Sequence, residues 1–148
     1  MTVLVGPIYN VLVGDATLTG QLSTYNGVPA IFSNMKVPPD AVPPFIAISP
    51  PTADGNFDTL KEFGRDTSHS IWIIFPETGS VTLLDVAAER VRTLLHKTSL
   101  TVSGYQHVQS FTTGPVNAPL EGGRGGSQED EVDEVGRLVT VRALLRQL

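Results

Sequence analysis

Five large apolar side chains in a row, Ile71-Trp72-Ile73-Ile74-Phe75, follow the polar start Ser68-His69-Ser70. No other segment restricts the fold as much. A strand sends successive side chains to opposite faces, so Trp72 and Ile74 point one way while Ile71, Ile73 and Phe75 point the other. Both faces then need cover, which demands packed material on two sides of a sheet. Residues 80–97 supply one cover directly downstream. Leu84, Ala87, Ala88, Val91, Leu94 and Leu95 recur at helical spacing and form one stripe. Asp85 and Glu89 come early and Arg92, His96 and Lys97 come late, which suits the helix dipole. Glu89 and Arg92 are also placed to pair at i,i+3. This helix is expected to lie across the sheet.

The flanking chain is read by the same rules. Gly6-Pro7 can open a helix, because proline in the first turn forfeits no hydrogen bond. Leu4, Ile8, Val11 and Leu12 fit its spacing, and Gly14 can close it; Val3, Val5, Val11 and Val13 leave a strand open as the alternative. Asp15 is a good N-cap for a second short helix running to about residue 22. Val28-Pro29-Ala30-Ile31-Phe32 reads as a short extended piece, with Pro29 at an edge or a strand start. The run Val37-Pro38-Pro39-Asp40-Ala41-Val42-Pro43-Pro44 is poor in ladder donors and favours extended backbone. It leads into a strand at residues 45–49, expected to stop at Pro50-Pro51. Residues 52–66 read as a polar loop with an Asp54-Gly55 turn. Residues 100–102 and 105–112 read as two short strands or a hairpin about Ser103-Gly104. Residues 114–128 read as a second long loop, containing Gly122-Gly123-Arg124-Gly125-Gly126. After Glu129-Asp130-Glu131-Val132-Asp133-Glu134, the alternation of Arg137, Val139, Val141 and Ala143 with Leu138, Thr140 and Arg142 predicts a last strand. With no internal repeat or boundary signal, residues 1–148 are expected to form one domain, long enough to bury a core.

Composition narrows the function classes. Ten basic against fifteen acidic side chains leave a net charge of −5, which argues against a broad electrostatic nucleic-acid surface. The absence of cysteine excludes disulfides and thiolate metal sites. No stretch approaches the roughly 20 apolar residues of a membrane helix, and no basic run precedes an apolar segment as in a secretory signal. His69, His96 and His107 fall in different elements without metal-ligand spacing. Ser68-His69-Ser70 with Asp66 invites a hydrolase reading, but strand alternation turns Ser68 and His69 apart. A nucleophile elbow, Gly-x-Ser-x-Gly, is also missing. The Gly-rich segment lacks the Gly-Lys-Ser/Thr ending of a phosphate loop, and five acids in six residues follow it. It reads as a flexible loop, or as an arm that orders against a partner chain through Arg124. The acidic run reads as a solvated strand entry or as a pore lining that repels passing DNA. No catalytic, cofactor-binding or metal residue is nominated, and the chain is not expected to be an enzyme.

The pieces in order form a pattern: two short N-terminal helices, an Ile31-Phe32 segment, a Pro-rich run ending in Pro44-Phe45-Ile46-Ala47-Ile48, and a polar loop. An apolar strand holding Trp72 follows, then a helix with Ala87-Ala88-Glu89-Arg90-Val91-Arg92-Thr93-Leu94-Leu95, a Ser103-Gly104-Tyr105 turn, a variable loop, an acidic stretch and a final strand. Across roughly residues 3–144 this resembles the tail terminator (tail completion, minor tail) proteins of long-tailed bacteriophages. The resemblance implies an α/β protein of the α+β type: a mostly antiparallel β-sheet with one long helix and short N-terminal helices packed on it. It further implies a homo-oligomeric ring, usually a hexamer, that caps the head-proximal end of the tail tube. Such a ring stops tube polymerisation, meets the head–neck connector or stopper protein, and lets DNA pass without specific binding. The implied location is the virion, after assembly in the host bacterial cytoplasm. Loops 52–66 and 114–128 would then meet neighbouring subunits or the tube, which makes Phe57, Lys61, Arg65, Arg124, Glu129, Asp130 and Glu131 candidate interface residues. The longer Gly-rich loop departs from the family pattern. Other readings of the same features are a head-completion or stopper protein, a self-polymerising tube subunit, and a small ligand-binding α/β domain.

Overall fold

The computed structural model describes residues 4–33, 36–56, 64–76, 81–98, 100–117 and 134–147. In chain order these hold α1 (Val5–Val13), α2 (Ala16–Thr19), β1 (Thr24–Tyr25), β2 (Val28–Pro29), β3 (Ile31–Ser33), β4 (Phe45–Asn56), β5 (Gly64–Pro76), α3 (Val81–Leu95), β6 (Tyr105–Asn117) and β7 (Glu134–Gln147). The main sheet is ordered β3-β4-β5-β7-β6. Its pairings are antiparallel except the short parallel one between β3 and β4. The expected α+β fold, mostly antiparallel with one long helix, is the one observed. A small hairpin, β1–β2, precedes it, turned by Asn26 and Gly27 at φ 52° and 83°; the asparagine–glycine pair suits the left-handed backbone of such a turn.

The apolar run of residues 71–75 lies in the central strand. Ile71, Ile73 and Phe75 enter the main core with Val5, Ile8 and Leu12 of α1 and Leu84, Ala87, Ala88, Val91 and Leu95 of α3. On the opposite face Ile74 joins Ala30 and Phe45 in a smaller core, rimmed by Tyr25, Phe32, Val37 and Trp72. Tyr25–Phe32 and Phe32–Phe45 meet edge-to-face at 5.6 and 5.9 Å, a favoured aromatic geometry. The alternation therefore sorts the side chains as expected, with Trp72 at the rim of the smaller core rather than in its centre. The local signals hold as well. Asp15 caps α2 by accepting from the Leu18 amide at 3.0 Å, Gly14 ends α1, and Glu89 and Arg92 pair at 3.8 Å.

Four expectations need correction. Pro50-Pro51 does not stop β4, which runs on to Asn56. The pairing with β5 shifts register between Ile48 and Pro51 and again between Pro51 and Ala53, so the prolines sit where bulges release the ladder. Side chains take over there: Ser49 Oγ accepts from the Ser70 amide at 2.8 Å, and Thr52 Oγ1 donates to the Ser68 carbonyl at 3.3 Å. The expected loop 52–66 is thus strand at 52–56 and 64–66, and residues 57–63 lie outside the described residues. The expected loop 114–128 likewise begins as strand, since β6 reaches Asn117 after a register shift between Thr113 and Val116. Gly114 makes that shift possible at φ 99°, where a Cβ would come within 2.7 Å of the Leu138 carbonyl oxygen; residues 118–128 lie outside the described residues. Finally, residues 100–102 are not a strand. Leu100 and Val102 instead join the main core, so burial and not pairing explains their apolar character.

Candidate interaction surfaces

Of the residues nominated from sequence, the structure places one. Arg65 lies in β5 opposite Leu145 of β7 and Asn56 of β4. It is therefore a strand residue beside the connection from β4 to β5, not a loop residue. Phe57, Lys61, Arg124, Glu129, Asp130 and Glu131 lie outside the described residues.

The histidines have structural work. His69 is fully buried, and its Nδ1 lies 2.9 Å from the Ser49 carbonyl. A carbonyl only accepts, so Nδ1 carries the proton and donates across the β4 bulge. Ser68 faces away from it, as strand alternation requires, and the two do not converge. His96 stands at the last turn of α3, where its Nδ1 accepts from the Thr112 amide at 3.1 Å. That nitrogen presents its lone pair to β6, which leaves the neutral ring's proton on Nε2. The His107 side chain lies outside the described residues. Among the described residues no three His, Asp or Glu side chains come close enough to hold a metal ion.

Two bidentate ion pairs organise the charges. Asp15, besides capping α2, receives Arg90 of α3 at 2.9 and 2.7 Å. The Arg90 guanidinium and the Leu18 amide hold the Asp15 carboxyl below the usual carboxylate range, against the opposing effect of burial. Asp66 of β5 receives Arg142 of β7 at 2.8 and 2.6 Å, and the Arg142 guanidinium holds its carboxyl down in the same way. The first pair ties the cap of α2 to α3 on the helix side of the sheet. The second sits on the other face of the sheet, with 57% of the Arg142 side chain exposed.

That other face is the feature the sequence reading missed. Along β7, Val139, Val141, Ala143 and Leu145 are buried beneath the helices, while Leu138, Thr140, Arg142, Leu144 and Arg146 project oppositely and stay partly open. Their cross-strand neighbours extend the surface: Ser68 and Ser70 on β5, Thr113 and Val116 on β6. Among the described residues the smaller core closes this face near Trp72. The alternation in residues 137–143 was the available signal. It marks a strand whose even-numbered members, Leu138, Thr140 and Arg142, are more polar than Val139, Val141 and Ala143 between them.

The layered geometry has a counterpart among solved structures. The chain shares its fold with a component of the virion of a native gene transfer agent (GTA) particle. The superposition covers 97% of this chain and 95% of that one, with a TM-score of 0.74 and 19% sequence identity. At that identity the likeness is one of fold. No family model matches the sequence, and no curated protein is similar to it.

Proposed function

We propose that this chain is a structural protein of a phage-like virion and, within it, a tail terminator. Copies would form a ring at the head-proximal end of the tail tube, stop tube polymerisation, and offer the surface on which the head–neck connector or stopper protein docks. One observation carries this reading: nearly the whole chain superposes on nearly the whole of a chain from a gene transfer agent virion. The sequence pattern, read independently, leads to the same kind of particle. A net charge of −5 suits a ring through which DNA passes without being gripped. In this reading the role is structural, not catalytic. The protein resides in the virion after assembly in the host cytoplasm. Phe57, Lys61 and Arg65 around the β4–β5 connection, with Arg124, Glu129, Asp130 and Glu131 around the β6–β7 connection, are its proposed contacts with tube or neighbours.

The test is to add the purified chain to growing tail tubes and image them. A cap at one end with tube growth arrested is the expected result. Binding to portal-bearing heads instead of tubes would make it a stopper, unaided growth into long tubes would make it a tube subunit, and indifference to both would end the virion reading.

A further inference from the structure

The main sheet has two outer strands, β6 and β3. The middle of the β6 edge is already occupied. The Ser110 carbonyl accepts from the Lys97 amide at 2.9 Å, and the Thr112 amide donates to His96 Nδ1 at 3.1 Å. Lys97, at φ 53°, turns the chain end of α3 onto β6 so that these contacts form. Further along, the edge opens. Ser110 and Thr112 turn their backbone groups away from β7, so by alternation Phe111 and Thr113 turn theirs towards Arg142 and Thr140. Leu138, two residues from Thr140, points the same way, and its partner after the register shift is Val116. The residues on either side of Val116 therefore face outward. Asn117 offers an N–H and a C=O there, and Pro115 a C=O alone.

β3 ends the sheet on the other side. The Ala30 carbonyl accepts from the Ile46 amide at 2.9 Å, so Ala30 and Phe32 serve β4 while Ile31 and Ser33 turn outward. The Ser33 carbonyl is taken by the Lys36 amide at 3.1 Å. What remains is the N–H and C=O of Ile31 and the N–H of Ser33, which meet no partner among the described residues.

The two open edges fit each other. Register leads from Ile31 across the sheet through Ile46, Ile73 and Arg137 to Asn117, and from Phe32 through Ala47, Trp72 and Leu138 to Val116. Both edges thus stand at the same level, and the same pairings make β3 and β6 run in opposite directions. We propose that residues 115–117 of one copy pair antiparallel with residues 31–33 of the next, so that one sheet continues from copy to copy. Asn117 opposite Ile31 exchanges two hydrogen bonds, and the Ser33 amide donates a third to the Pro115 carbonyl. A fourth bond would need the N–H that proline lacks and the carbonyl that Lys36 already holds, so neither copy forfeits one. The side chains agree. Val116, 55% exposed, falls beside Phe32 at the rim of the smaller core, a β-branched residue against an aromatic one. Every docked copy presents a fresh β3 and a fresh end of β6, a heterologous contact that closes into a ring when the rotation permits. The inference rests on the ring reading above and names the edges that such a ring would join.

The chain has no cysteine, so disulfides can test the register. Val116→Cys mixed with Phe32→Cys should give a crosslinked dimer on oxidation, and either variant alone should give none. Within one copy the two positions lie four strand spacings apart, about 19 Å, beyond the reach of a disulfide. Thr113→Cys mixed with Phe32→Cys is out of register and should stay uncrosslinked. Asn117→Pro and Ser33→Pro each delete one outward N–H and leave the chain's own ladder intact, which thermal unfolding checks. Each should raise the concentration for half-assembly, read by native mass, at least about tenfold. An equimolar mixture of these two should give dimers and nothing larger, because only one sound pair of edges can form. If Ser33→Pro does not fold, Asn117→Pro and the crosslink decide. The inference is overturned if Thr113→Cys crosslinks as readily as Val116→Cys, if the folded proline variants assemble like the parent, or if the parent stays monomeric up to about 0.1 mM. Assembly that the prolines abolish, in a chain that never caps tubes, would sink the terminator reading and leave the edge pairing standing. Tube capping that survives both prolines would do the reverse.

Discussion

The two faces of β7 carry the same backbone and opposite duties. Val139, Val141, Ala143 and Leu145 are sealed under α1, α3 and the 100–102 segment, all at zero exposure. Leu138, Thr140, Arg142, Leu144 and Arg146, interleaved with them, are left partly open. The first set holds the main core, and the second lies outside it. The difference teaches that stability and interaction can be written into alternate letters of one strand, so substitutions one residue apart should report on different properties.

The sharpest way to break this comparison is to truncate on both sides. Ile73→Ala and Leu145→Ala, at fully buried positions, should each cost about 2–5 kcal/mol in denaturant unfolding. Gly114→Ala follows, at about 1–3 kcal/mol, since it meets both positive φ and the Leu138 carbonyl; unchanged stability would mean that β6 does not shift register there. Asp15→Ala should cost about 0.5–2 kcal/mol by unfastening the α2 cap. Its carboxyl is depressed in the folded state, so its contribution is fully present above the ordinary carboxylate value of about 4 and is lost as pH falls below that through the lowered folded-state value. Asp15→Asn should therefore flatten the acid side of a stability-versus-pH curve. Leu138→Ala should be the mildest, within about 1 kcal/mol for the free chain. A loss equal to that of Leu145→Ala would show that something already covers the bare face.

What could be read from sequence follows the range of the forces involved. The α3 stripe, the alternation at residues 71–75 and the Asp15 cap depend on neighbours a few positions away, and each appears where its pattern says. The passage of β4 through Pro50-Pro51 depends on β5, because only the partner strand decides whether a bulge can absorb the missing amides. Gly114 is the same case, since its meaning comes from Leu138. The Asp15–Arg90 and Asp66–Arg142 pairs join residues 75 and 76 positions apart, beyond any local pattern. Leu100 and Val102 misled because an apolar residue at a strand-like spacing also suits a plain core contact. Among the proposed contact residues only Arg65 could be placed, and it moved from a loop to a strand.

The strand order has a consequence for the time at which the protein can fold. β7 is inserted between β5 and β6, so the sheet's central ladder joins residues 64–76 to residues 134–147. During synthesis, β5, α3 and β6 emerge from the ribosome before the strand that binds them together, and β6 has no other sheet neighbour among the described residues. Closing so long a loop makes the pairing slow relative to helix formation. Until residue 147 is clear, the nascent chain holds two unpaired strand edges apart, at the stage when such edges are most prone to stray pairing. The α3 turn that shields Ser110 and Thr112 is local in sequence to β6 and can form first. It covers the middle of the outer edge of β6 only, so the inner edge stays open until β7 arrives.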